Sequence, residues 1–230
     1  MRELLSSPVL WIAVTFAVYY GAQVIYKRYH FFFLNPVLVS ISVLILILVA
    51  SGVEFSEYDR GGKYISFFLA PAVVALGVPL HERMREIRAR SGAILTAIGI
   101  GGAGGILSAA GIAAGLGASR AVVLSIAPKS VTTPIAIGIA EKLGGVPSLT
   151  AVLVIAAGVL GAVLGPIFLR AIGVRSPYAF GLAMGAASHG IGTARALEEG
   201  EVEGATSGLA LCLNGIVTAV LTPVLVPIFT

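Results

Sequence analysis

Residues 127–134 read Ala127-Pro128-Lys129-Ser130-Val131-Thr132-Thr133-Pro134, inside a segment that is otherwise apolar and long enough to cross a membrane. Lys129 is the sole Asp, Glu, Lys or Arg between Arg120 and Glu141. Each proline removes a backbone donor and clashes with the turn before it, so a helix breaks here. A break at bilayer depth exposes polar backbone, which is tolerated only where it is buried in protein or lines a wet cavity. The stretch therefore puts unwound backbone, three hydroxyls and one ammonium inside a membrane segment. Such a set suits a small anion.

Working outward, the composition agrees. Of the 230 residues 57% are hydrophobic and 11% charged, mean hydropathy is +1.00, and soluble domains carry about 25% charged residues. The chain reads as an all-α, polytopic integral membrane protein. Its charges fall in short clusters, and between them lie charge-free stretches at 4–26, 29–53, 64–81, 91–119, 143–169, 176–194 and 204–230. A spanning helix needs about 20 apolar residues. Helices are expected near 8–26, 36–53, 64–80, 91–114, 148–170 and 204–227, with discontinuous helices at 120–143 and 177–197. That makes seven or eight crossings, depending on whether the broken segments span or re-enter. The whole of 1–230 reads as one membrane domain, with a scaffold part over 1–60 and a core carrying the broken helices over 61–230.

Orientation rests on arginines. Arg83, Arg85, Arg88 and Arg90 form the densest basic cluster and Lys27/Arg28 the next. They lie two crossings apart, so both can be cytoplasmic, with the N-terminus outside. Arg170 and Arg175 fit that scheme only if one broken segment re-enters. Gly101xxxGly105, Gly111xxxGly115, Gly161xxxGly165, Gly181xxxGly185 and Gly204xxxGly208 have the spacing of close helix packing. A smooth surface that lets one bundle slide on another is the second reading of these glycines. Ala70-Pro71 and Ala127-Pro128 keep the same offset as Gly104 and Gly161, a faint internal echo.

Several function classes drop out. The net charge of +4 is loop charge, without a basic stripe interleaved with aromatics, so nucleic acid is not a partner. Cys212 stands alone and cannot form an intramolecular disulfide. No cleavable signal peptide is evident, and the first apolar run reads as a retained helix. HExxH, GxSxG and GxxxxGK[ST] are absent, so no enzyme is expected. His30, His81 and His189 lack metal-ligand spacing, and neither metal nor cofactor is implied.

Two constellations remain. In 128–134, helix ends attract anions, Pro134 opens a second half-helix, and Thr132 and Thr133 are candidate N-caps. Lys129, Ser130, Thr132 and Thr133 are thus candidate substrate ligands, unless Lys129 snorkels to an interface. In Ser188-His189-Gly190-Ile191-Gly192-Thr193-Ala194-Arg195, two glycines and two hydroxyls surround His189. Histidine can exchange protons near neutral pH, though a structural hydrogen bond would also explain it. Ser188, His189 and Thr193 join the candidate binding set. Arg195 is either a carboxylate clamp or the watery end of a helix. Glu198, Glu199, Glu201 and Glu203 read as a solvated loop. Asn214 interrupts the last helix and needs a partner. Behind His189, Glu141 and Glu198 are the next candidates for proton coupling.

The stretches PKSVTTPIAIGIAEKLGGVPSLTAVLVIAAGVLGAVLGP (128–166) and ASHGIGTARALEEGEVEGATSGLALCLNGIVTAVLTPVL (187–225) closely resemble the LrgB/CidB family of bacterial membrane proteins. FFFLNPVLVSI (31–41) and FFLAPAVVALGVPL (67–80) look like its earlier segments. The resemblance implies a multi-pass protein of the bacterial inner membrane, an oligomer, working beside a small LrgA/CidA-type protein. It implies either antiholin-like control of murein hydrolase export and lysis, or carriage of small monocarboxylates, as in the similar half of a plant plastid glycolate/glycerate transporter. From the residues, the leading expectation is proton-coupled transport of a small monocarboxylate, with the Lys129 and His189 breaks facing each other, and the resemblance implies that the acid is pyruvate-, glycolate- or glycerate-like. The alternative is the antiholin-like regulator acting through partner contacts.

Overall fold

The computed structural model describes residues 7–29, 34, 36–68, 71, 81 and 84–230. It separates into two compact units, Met1–Ala75 and Leu76–Thr230, each taken by itself below. Among the described residues all regular structure is helical.

The first unit holds α1 (Pro8–Tyr29), α2 (Pro36–Ser51) and α3 (Phe55–Phe67). Pro36 opens α2 at a first-turn position, where its missing donor costs nothing. The third helix differs from expectation. It begins at Phe55, within charges that read as a loop, and most of 69–80 lies outside the described residues. The charged run is an amphipathic helix whose outer side carries Arg60–Glu57 and Lys63–Asp59 pairs. Its inner side packs on α1: Tyr58 meets Trp11 edge-on with centroids 5.8 Å apart. Gly61 is required there, since a Cβ would come within 2.5 Å of the Pro8 carbonyl.

The second unit contains α4 (Met84–Ala89), α5 (Ser91–Gly115), α6 (Arg120–Ile126), α7 (Thr133–Leu143), α8 (Pro147–Ala171), α9 (Pro177–Glu199) and α10 (Glu201–Leu225), closed by a 3-10 turn at Val226–Phe229. α5 and α10 run side by side in the same direction. Ile94 and Ile98 pack with Ala210, Gly102 faces Asn214 and Val217, and Gly111 lies against Phe229. α8 runs the opposite way along the first half of α9, with Gly158 on His189, Gly161 on Ser188 and Gly165 on Met184.

Both broken segments fold back on themselves. In α9 the backbone leaves helical geometry at Ser188 (φ −128°, ψ 15°) and His189 (φ 42°, ψ −135°). Ala196 then returns beside Phe180 and Met184, and Glu199, at the far end, bonds to Arg170 next to where α9 began. The discontinuity expected within 177–197 is confined to Ser188 and His189, and the second half regains helix immediately after His189. Each residue of a helix interior gains a backbone hydrogen bond, which outweighs the roughly 1 kcal/mol penalty of Gly190 and Gly192. The second reversal is α6–α7. Residues 127–132 are non-helical, and the chain returns so that the Val146 amide donates to Ser125 Oγ at 2.8 Å. α7 ends in a left-handed cap at Gly144, φ 89°.

The two hairpins open toward opposite ends of the unit. α7 runs with α10, Ile135 lying against Gly215 and Lys142 and Pro223 sharing a cleft, so α6–α7 opens at the Phe229 end. α9 opens at the Glu201 end. A long helix followed by a hairpin thus occurs twice, at 91–143 and 147–199, in inverted sense. This is the echo that the structure supports, and Ala70 of the expected one lies outside the described residues. Among the described helices, Pro8–Tyr29, Ser91–Gly115, Pro147–Ala171 and Glu201–Phe229 are long and apolar enough to cross a membrane. The count of seven or eight is not reached by these.

The halves differ in packing. A Cβ at Gly161 would overlap Ser188 Oγ, whereas at Gly104 nothing lies within 4 Å. Gly161→Ala is expected to destabilise the folded protein by about 1–3 kcal/mol, with Gly104→Ala neutral or stabilising. Ser188→Gly in the Gly161→Ala chain should recover much of the loss, read as Tm in detergent. Fold-back has its own check. With Cys212→Ser as background, Ser176→Cys and Gly200→Cys should react with an impermeant maleimide from the same side of the membrane. A spanning α9 would put them on opposite sides.

Candidate functional site

The hairpin tips meet at one side chain. Asn214 on α10 is fully buried, and its Nδ2 donates to the Ala186 carbonyl at 2.8 Å and to the Ser130 carbonyl at 3.3 Å. Thr218 donates to its Oδ1 at 3.5 Å. A buried carbonyl left without a donor costs about 1–3 kcal/mol. One amide satisfies a carbonyl from each tip, which answers why a polar residue stands in the last helix; contrary to expectation α10 runs unbroken through it.

Beside that junction lies a cavity of about 610 Å³. Lys129, Ser130 and Gly105 line its inner end, and Arg90, Ser176 and Tyr178 its outer end, at the starts of α5 and α9. Lys129 Nζ donates to Ser130 Oγ at 3.1 Å. Among the described residues no carboxylate pairs with this ammonium. Arg90 lies 4.8 Å over the Tyr178 ring, a cation–π contact at the rim.

Of the sequence candidates, Lys129 and Ser130 line this cavity and Asn214 braces it. Thr132 takes the N-cap position of α7 without a side-chain cap bond, and Thr133 and Pro134 form the first turn. Neither threonine lines the cavity.

His189 does not face Lys129 across the cavity. Its ring points to α8, where Nε2 lies 2.9 Å from the Val154 carbonyl. A carbonyl only accepts, so Nε2 carries the proton. The positive φ that reverses the chain also turns the side chain away, and His189 is the one non-glycine among the described residues with positive φ. Val154 still links the two breaks, because its side chain packs with Val131 and Ala136. Ser188 is buried on Gly161. Thr193 Oγ1 donates to the His189 carbonyl at 2.9 Å and lies 2.9 Å from Ser207 Oγ.

Arg195 sits in a charged network at the open end of α9. It holds Glu198 at 2.9 Å and Glu199 at 2.6 Å, and Glu199 also takes Arg170. Glu198 is exposed there, and Glu141 is exposed in the last turn of α7. All three lie apart from the cavity. The residues that sequence reasoning missed are Arg90 and Tyr178. Arg90 belonged to a cluster read only for orientation, and nothing local distinguishes Tyr178.

The chain matches the LrgB-like family over residues 15–228. It is 39% identical over 221 residues, 96% of either chain, to "Uncharacterized protein YxaC" of Bacillus subtilis (strain 168). It is 36% identical over 222 residues, again 96% of either chain, to "Antiholin-like protein LrgB" of Bacillus cereus (strain B4264) and of Bacillus anthracis (strain CDC 684 / NRRL 3495). No solved structure matches it. A helical chain with several spans, matched almost from end to end, belongs to the LrgB-like family.

Proposed function

We propose that this chain carries a small monocarboxylate across the bacterial inner membrane, coupled to protons, beside a small LrgA/CidA-type partner and as an oligomer. The observation that carries the proposal is Lys129. Its ammonium ends an apolar cavity where two opposed hairpins meet, and no described carboxylate neutralises it. A half-buried charge with no opposite partner is costly, and an anionic solute offsets that cost. Half-helix ends at a repeat interface are a known design for transporter sites. A proton carried with the anion makes the cargo neutral, so the loaded carrier has the same charge as the empty one and uptake does no work against the membrane potential. His189 is the proposed carrier, since its bond to Val154 ties it to the residue that packs beside the Lys129 break.

The comparisons favour the second reading. Relatives at 36% identity are named antiholin-like, and on those names control of lysis through partner contacts is the better supported of the two.

Uptake of labelled pyruvate, lactate, glycolate and glycerate into proteoliposomes separates the readings. Transport predicts uptake that Lys129→Met abolishes while Tm stays near wild type. A regulator predicts no uptake by the chain, alone or with its small partner, and normal lysis control by Lys129→Met. His189→Gln should keep substrate exchange and lose substrate-driven proton flux. Proton flux at the wild-type ratio in that variant removes His189 as carrier.

A further inference from the structure

The cavity is polar only at its two ends. From Lys129 and Ser130 outward, its walls are aliphatic side chains and glycine, among them Ala93, Ala97, Ile98, Leu182 and Ala183. Not until Arg90, Ser176 and Tyr178 does another polar side chain line it. Gly105 marks the inner end and Ala93 lies near the outer one, 12 residues apart on α5, so the apolar stretch is roughly 18 Å long. Between the first turns of α5 and α9 and the break at Ser188, the helical backbone behind it is bonded within α5 and α9, and the Ala186 carbonyl is taken by Asn214. A carboxylate held at Lys129 and Ser130 would therefore extend the rest of its molecule along a wall that offers no hydrogen bond.

We propose that this cavity selects monocarboxylates with an unsubstituted hydrocarbon tail, head group on Lys129 and Ser130 and tail along the α5–α9 wall, over hydroxylated acids and dicarboxylates. The proposal rests on the transport reading for the site's purpose but concerns its binding chemistry. Each methylene moved from water onto the wall should tighten binding about fourfold. A hydroxyl in the same place gives up its water and finds no partner, which weakens binding by about fivefold or more. A second carboxylate meets the same wall with a full charge. The gain per methylene should end where the tail reaches the Arg90–Tyr178 rim.

The test is displacement of labelled butyrate from the purified chain in nanodiscs. Lys129→Met serves as the blank for partition into lipid. Competitors are the straight-chain acids from acetate to octanoate, with glycolate, glycerate and malonate. The expected result is a stepwise rise in affinity with chain length that levels off, with glycerate and malonate weaker than propionate. Ala183→Leu, which fills the wall, should weaken the longer acids and spare acetate. A flat series, tighter binding of hydroxy acids, or no Lys129-dependent binding of any acid overturns the proposal. Uptake measured on the same preparation keeps the two questions apart. Tail-dependent binding without uptake upholds the selectivity and removes transport, and uptake with a flat series does the reverse.

Discussion

The structure depends on one rule of low-dielectric interiors: a backbone polar group away from water must have a partner. The breaks at 127–132 and 188–189 free carbonyls where a continuous helix would have bonded them. Asn214 supplies the missing donors, one hydrogen to Ser130 and one to Ala186. Without a side-chain amide at this level, two reversals at the middle of the unit would each bury an orphan. The polar face of α10 continues the same service. Thr206, Thr218 and Thr222 are buried, and Thr206 and Thr222 each turn a hydroxyl back to a carbonyl of their own helix.

Glycine lets the backbones come close enough for this. Gly181 lies on Thr206 and the Glu203 carbonyl, Gly185 on the Ser207 carbonyl, and Gly192 on the Met184 carbonyl. Helix association inside a bilayer has little hydrophobic drive, so contact of this kind carries much of it. The stripe on α8 is filled in this way by the tip of α9. On α5 the counterparts Gly101 and Gly104 meet nothing within 4 Å, and Gly101 is part of one wall of the Lys129 cavity. One build thus yields a sealed half and a half with a binding space.

Much of the fold was legible because length and hydropathy carry it. Helices expected at 91–114 and 148–170 stand at Ser91–Gly115 and Pro147–Ala171. The break that brings Lys129 and Ser130 to a cavity wall was legible too, since two prolines flank it. α3 was not, because its charges mark one face of an amphipathic helix as readily as a loop. The direction of His189 was beyond reach. It follows from a backbone angle that nothing in the residue type announces, as histidine seldom takes positive φ. Arg195 was weighed as a clamp because its partners, Glu198 and Glu199, looked like loop charges and not like the other half of its ion pairs.

The inverted build also bears on how the protein is inserted. A unit made of two opposed halves is nearly indifferent to which way up it sits, so the direction must come from charges at its ends. Because α9 folds back, Arg170, Arg175 and Arg195 gather at the same end as Arg85, Arg88 and Arg90, while Arg120 and Lys142 lie at the other. Basic residues are retained on the cytoplasmic side during insertion. The fold-back of a single helix is what gathers these basic residues at one end of the unit, the end that carries the rim formed by Arg90 and Tyr178.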